Sequence, residues 1–218
     1  MIVSEWLTKN WVEVFGAITG IIYVFLEIKQ NLWLWPVGIV TSAVYIIVFF
    51  TSKFYADMSL QAYYLIISCF GWYWWLKGGR QQGKGGKKEG ERDGNKNSRF
   101  EGGQGDVNSE KLRVTRIKLR TGIILAAVFV IIYGILWLVL SRLTDSPVPE
   151  WDSFITSLSI VATWMLARKI YEHWFLWIVV NSVSSGLFVF KGLYPTAGLY
   201  LVYLVMSFVG LKEWKRSL

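Results

Sequence analysis

One cysteine and one histidine in 218 residues exclude whole classes of function. Cys69 has no second thiol with which to form an internal disulfide. His173 is the sole imidazole and the carboxylates are scattered, so no spacing points to a metal centre or a catalytic triad. Neither a metal site, a cofactor nor an enzyme activity is expected. The N-terminal residues lack the basic start and small-residue cleavage site of a signal peptide, so the first apolar segment is expected to be a membrane span. Charge is missing too, over long stretches: the run from Trp174 to Phe190 carries none and could cross most of a bilayer core.

What is present is apolar and aromatic. The chain is 54% hydrophobic with 13 tryptophans, a composition that fits an integral membrane protein, since indoles collect at membrane interfaces and in ligand sites. The formal charge of +8 resembles a nucleic-acid signal until it is located. Thirteen of the 23 Lys and Arg lie between Lys77 and Arg120. A basic loop beside membrane spans is expected of a cytoplasmic connection near anionic lipid, and no nucleic-acid partner is expected.

Seven hydrophobic segments can be drawn: Trp11–Ile28, Leu32–Phe50, Ser59–Leu76, Thr121–Leu140, Ser153–Ala167, Trp174–Phe190 and Thr196–Leu211. Each approaches the ~20 residues needed to span. The second contains Pro36, which membrane helices tolerate when neighbours satisfy the freed carbonyl. With the long loop cytoplasmic, 19 Lys and Arg lie inside and four outside. The N-terminus is then outside and the C-terminus cytoplasmic. Glu13, Glu27, Asp57 and Glu172 lie near span ends, where solvation or pairing is expected, and His173 reads as interfacial.

From Gly78 to about Glu110 the chain is rich in Gly, Lys, Asn, Gln and Glu, a composition that predicts disorder. Within it, Gly78-Gly79-Arg80-Gln81-Gln82-Gly83-Lys84-Gly85 narrowly misses the phosphate-loop pattern. It lacks the final Ser or Thr and no strand precedes it, so no ATPase is expected.

Sliding the third span onto the seventh gives six identities at an offset of 139 residues: Tyr55/Tyr194, Leu60/Leu199, Tyr64/Tyr203, Ser68/Ser207, Gly71/Gly210 and Trp75/Trp214. At 142, Trp35 meets Trp177, which aligns the second spans if the loop differs by three residues. The expected fold is an all-α membrane protein of seven transmembrane helices, two parallel three-helix repeats joined by a linker helix (3+1+3, SWEET-like). A three-helix unit ends on the opposite side from its start, so one further crossing restores the orientation. The boundaries are 1–76 and 152–214 for the repeats, 77–119 for the basic loop and 120–141 for the linker, an Ile/Leu/Val/Ala helix read as lipid-facing.

Four helices carry a stripe of small, aromatic and amide side chains. Trp174, Trp177 and Asn181 share a face at i, i+3 and i+7. The second span aligns Asn31, Trp35, Gly38, Ser42 and Tyr45; the third Asp57, Gln61, Tyr64, Ser68 and Trp72; the seventh Thr196, Tyr200, Tyr203, Ser207 and Gly210. Polar groups at membrane depth face a bundle or a cavity. Indoles and amides aimed together suit a flat, polar, cationic small molecule, whereas belt tryptophans and interhelical hydrogen bonds are the alternative. For Gly71, Gly210, Ser68 and Ser207 the preferred role is close helix packing; for Gln61 and Asn181 it is ligand contact.

Asn31 to Trp35, Tyr55-Ala56-Asp57-Met58-Ser59-Leu60-Gln61 and Gly71-Trp72-Tyr73-Trp74-Trp75 resemble the first half of the Pnu vitamin transporters. Arg168 to Trp177 and then Asn181 resemble the second half, so the likeness covers nearly everything but the long loop. Members of the PnuC type carry nicotinamide riboside, and relatives carry thiamine or riboflavin. The resemblance implies facilitated diffusion of a vitamin precursor across a bacterial inner membrane, trapping by cytoplasmic phosphorylation, and a homotrimer. In that framework Trp35, Trp174 and Trp177 stack on the substrate ring, Asn31, Gln61 and Asn181 hydrogen-bond it, and Tyr64, Tyr200 and Tyr203 are candidates for closing the site. A thiamine transporter is the alternative within the family, and a membrane receptor or scaffold without flux the alternative outside it. The loop generates the first prediction: deleting residues 79–105 leaves uptake by reconstituted protein largely intact. Loss of flux at unchanged protein level would instead make the loop a gate or docking segment.

Overall fold

The computed structural model describes residues 11–51, 55–77, 113–144 and 147–218, without the side chains of residues 55–57. The Gly/Lys-rich segment, its near-miss phosphate loop, and the side chains of Asp57 and of Tyr55 in the Tyr55/Tyr194 match therefore lie outside what is described. Among those residues the chain is all-helical, with seven helices. They are α1 Trp11–Ile28, α2 Leu34–Thr51, α3 Tyr55–Lys77, α4 Leu119–Leu143, α5 Pro149–Ala167, α6 His173–Phe190 and α7 Tyr194–Lys215.

Proline helps to set where helices begin. Pro149 opens α5 and Pro195 lies in the first turn of α7, positions whose N–H would have no intrahelical partner. Pro36 belongs with them. The expected second span began at Leu32, but the helix begins at Leu34, so Pro36 sits in its first turn and interrupts nothing. The C-termini of α1 and α5 are built alike, because Gln30 (φ 50°) and Lys169 (φ 51°) both adopt the left-handed conformation that closes a helix.

Five helices, α1, α2, α4, α6 and α7, are long and apolar enough to cross a membrane. The other two are more polar. In α5, Ser153, Ser157, Ser159 and Thr163 each return their hydroxyl to the carbonyl four residues back, at 2.6–2.8 Å, so its buried polar face is satisfied within the helix. Six helices form a closed ring in the order α1, α2, α3, α5, α6, α7, with α7 returning to α1. Helix α4 stands outside and packs on α5 alone among the described residues, with none of its side chains buried.

Two indole–glycine contacts hold the ring together. The Trp35 ring lies on Gly71, joining α2 to α3, and the Trp174 ring lies on Gly210, joining α6 to α7. Each meets a second indole edge-on: Trp35 with Trp75 at 5.3 Å between centroids, Trp174 with Trp214 at 5.9 Å. Such edge-to-face pairs add about 0.5–1.5 kcal/mol beyond burial. Trp75 Nε1 then donates to Ala167 O (3.2 Å) at the end of α5, and Trp214 Nε1 to Glu27 O (3.0 Å) at the end of α1. Trp35 and Trp174, Gly71 and Gly210, Trp75 and Trp214, and Gln30 and Lys169 are all 139 residues apart. In packing and in spacing Trp35 matches Trp174 rather than Trp177, without a three-residue shift.

A Cβ at Gly71 or Gly210 would overlap the indole seated there, whereas one at Gly134 on α4 meets nothing within 4 Å. Gly71→Ala and Gly210→Ala should each destabilise the protein by about 1–3 kcal/mol through overpacking. Gly134→Ala should be neutral or stabilising. Thermal unfolding in one detergent checks the contrast.

Candidate functional site

The six-helix ring encloses a cavity of about 300 Å³ lined from every ring helix and by no residue of α4. Its walls carry Gln61 and Tyr64 from α3, Trp174, Trp177 and Asn181 from α6, and Tyr200 and Tyr203 from α7. Seven of the nine side chains expected at the site thus meet around one space.

Asn31 and Trp35 do not line it. Asn31 precedes α2, and its Oδ1 accepts a hydrogen bond from Trp33 N at 2.9 Å, so its amide shapes the turn into the helix. Trp35 is 0% exposed, wedged between Gly71 and Trp75. A periodicity that put it on a face with Gly38 and Ser42 could not reveal that it sits below the cavity at the start of α2. Trp174 has the corresponding packing role on Gly210, yet it also reaches the cavity wall. The indole N–H groups of Trp35, Trp174 and Trp177 are buried without a protein partner among the described residues, and the last two lie on the cavity wall. Buried donors are nearly always satisfied, so two orphans on one cavity wall mark a place where a ligand or water accepts.

Asn181 donates through Nδ2 to Ser207 Oγ (3.0 Å), which in turn donates to Tyr203 O (2.8 Å). The amide therefore makes the interhelical hydrogen bond of the packing alternative and still lines the cavity. Tyr200 and Tyr203 meet edge-to-face at 5.7 Å, a rigid aromatic shelf on α7. Ser68 and Ser207, expected only to permit close packing, also line the cavity, whereas Gly71 and Gly210 serve as indole seats.

Sequence reasoning missed the electrostatic centre. Glu27, expected to be solvated or paired near a span end, is paired there, but it is 2% exposed and on the cavity wall, and its partner His173, read as interfacial, is 0% exposed. His173 Nε2 lies 3.0 Å from Glu27 Oε1 and its Nδ1 2.7 Å from Ile170 O. Trp214 covers the pair, its ring 4.6 Å from the imidazole. A signal existed: Gly16, Gly20, Tyr23 and Glu27 recur at helical spacing on α1, and all four line the cavity. Glu172, by contrast, is paired near a span end as expected, accepting from Ile117 N at 2.9 Å. Among the described lining residues Glu27 is the sole side chain with a formal charge, and none is Lys or Arg.

The chain is similar to the nicotinamide riboside transporter PnuC of Escherichia coli (strain K12), 27% identical over 232 residues that cover 95% of this chain and 86% of that protein. The riboflavin/roseoflavin transporter RibM of Streptomyces davaonensis is 26% identical over 204 residues, covering 94% of this chain and 84% of RibM. The crystal structure of the vitamin B3 transporter PnuC matches with a TM-score of 0.66 over 99% of this chain and 85% of that chain, at 23% identity, and shares the fold. The family model for nicotinamide mononucleotide transporters matches residues 10–216, and the chain belongs to that family, a multi-pass membrane transporter and not an enzyme.

Proposed function

We propose that this protein facilitates uptake of nicotinamide riboside down its gradient across a bacterial inner membrane. The observation that carries this reading is the cavity's chemistry: indoles with unpartnered donors, amides, tyrosines and one carboxylate, with no Lys or Arg among the described lining residues. A pyridinium over an indole face gains roughly 0.5–2 kcal/mol when desolvated, and Trp177 is the indole proposed to supply that face. Gln61 and Asn181 then bind the carboxamide or ribose hydroxyls. The family description names the mononucleotide and the PnuC relatives the riboside. A phosphate needs cationic side chains or free helix N-termini, so the lining favours the riboside. A cytoplasmic kinase that adds phosphate would convert the substrate into a form this site rejects, which traps it without a pump.

Thiamine is the second reading, because its thiazolium is also a flat cation that suits Glu27. Riboflavin, the name carried by RibM, is uncharged and brings Glu27 no cation beyond the His173 it already faces.

In the proposed mechanism α1–α3 and α5–α7 are parallel repeats that rock about the cavity, with α4 as linker against lipid. The constant spacing of the indole, glycine and left-handed positions supports this, as does the place of α4 outside the ring. Lys29 follows the end of α1 and Arg168 and Lys169 follow the end of α5, two ends joined by the 3.3 Å bond from Lys169 Nζ to Gln30 Oε1, and basic residues there support a cytoplasmic face and an external N-terminus.

Trp177→Ala and Asn181→Ala should each weaken riboside binding by about 1–3 kcal/mol in protein that still folds. Wild-type affinity in both variants would displace the site. Calorimetry with riboside and mononucleotide on purified protein should give binding for the first and much weaker binding for the second. Equal affinities would mean that a cationic group reaches the cavity, and the trapping scheme would fail.

A further inference from the structure

The Glu27–His173 pair has a proton count that its geometry fixes. Ile170 O can only accept, so at 2.7 Å His173 Nδ1 must be the donor to it. The other nitrogen, Nε2, lies 3.0 Å from Glu27 Oε1, and a hydrogen bond there requires a proton between them. That proton belongs either to an imidazolium beside a carboxylate or to a carboxylic acid beside a neutral imidazole. In both cases the pair holds one proton more than a carboxylate with a neutral imidazole, and its net charge is zero.

Tyr23 lies one turn before Glu27 on α1, and Tyr64, Tyr200 and Tyr203 are the other titratable side chains on the cavity wall, from α3 and α7. Trp214 covers the pair from α7. Lys169, at the end of α5, does not line the cavity; its ammonium lies 4.2 Å over the Trp75 ring and donates to Gln30 at 3.3 Å. Helix α2 contributes no charged side chain to the wall. A cation entering this space therefore meets one carboxylate whose charge is already balanced by a proton.

The geometry points to an exchange: a cationic ligand entering the cavity displaces the proton shared by Glu27 and His173, so that ligand and proton compete for one carboxylate. On binding, the proton leaves for solvent, His173 becomes neutral with its Nδ1–H still on Ile170 O, and the Glu27 carboxylate faces the cation. The site is electrically neutral before and after. A low-dielectric cavity thereby avoids holding an uncompensated charge in either state. The inference rests on the cationic substrate proposed above and makes Glu27 the residue that selects for charge.

Linkage sets the test. A bound state that holds one proton fewer tightens with rising pH, by up to tenfold in Kd per pH unit. Calorimetry of nicotinamide riboside at one pH, in buffers of different ionisation enthalpy, should give apparent enthalpies that scale with the buffer, at up to one proton released. The uncharged dihydronicotinamide riboside should show no such scaling. Glu27→Gln should abolish both the buffer dependence and the pH slope for the cation; if that variant does not fold, the wild-type buffer series decides alone. Riboside binding with an enthalpy independent of buffer overturns the exchange and leaves the substrate assignment intact. Absence of riboside binding in every buffer overturns the substrate assignment and the exchange with it.

Discussion

An indole resting on a glycine sets the spacing of this bundle. Trp35 on Gly71 and Trp174 on Gly210 bring α2 onto α3 and α6 onto α7 with a single flat ring between each pair. In a bilayer the hydrophobic effect does little to join helices, so close van der Waals contact must do it, and a flat ring on a residue without a side chain maximises that contact. Each ring is then held edge-on by the tryptophan one turn beyond its glycine, at Trp75 and Trp214. Those outer indoles reach further, to the carbonyls that end α5 and α1. Each half of the chain thus caps a helix of the other, and the two contacts that close the ring, α3 on α5 and α7 on α1, are the ones these indoles bridge.

That closure determines what the interior can contain. Six helices with small residues facing inward leave room between them, and the polar groups lining it include amides, hydroxyls and one carboxylate. A charge in such a place is tolerated only with a partner. Glu27 finds His173 across the ring, on the other half of the chain, immediately beneath Trp174 and Trp214. Structural and chemical roles therefore overlap: Trp214 holds the end of α1 and covers the group that gives the cavity its charge.

Periodicity and run length located all seven helices to within a few residues, because an uncharged stretch of bilayer length has few other structures open to it. The amide and aromatic faces of α3, α6 and α7 were legible for the same reason: polar groups on apolar helices stand out. Asn31 and Trp35 misled because helical spacing gives angle but not depth. Asn31 lies just before α2 and shapes the turn into it, and Trp35 packs in the first turn of the helix. Glu27 and His173 were discounted because a charged residue near the end of an apolar run normally snorkels to water. Only the three-dimensional placement of Trp214 over them removes that route, and no one-dimensional pattern encodes it.

Just before α4 the chain is pinned by strand-like pairing. Thr115 exchanges backbone hydrogen bonds with Lys169 O (3.0 Å) and Tyr171 N (2.9 Å), and Ile117 N donates to Glu172, in the turn that leads into His173. This clamp divides the connection into two stretches under different rules. Residues added upstream of Arg113 come before the clamp and leave the register of α4 on α5 unchanged. One residue added between the clamp and Leu119 would rotate α4 by about 100° and advance it by about 1.5 Å against α5. Phe129 would then turn away from Phe154, its edge-to-face partner at 5.8 Å. Natural variation in length is therefore expected to accumulate on one side of Arg113 and to stop abruptly on the other.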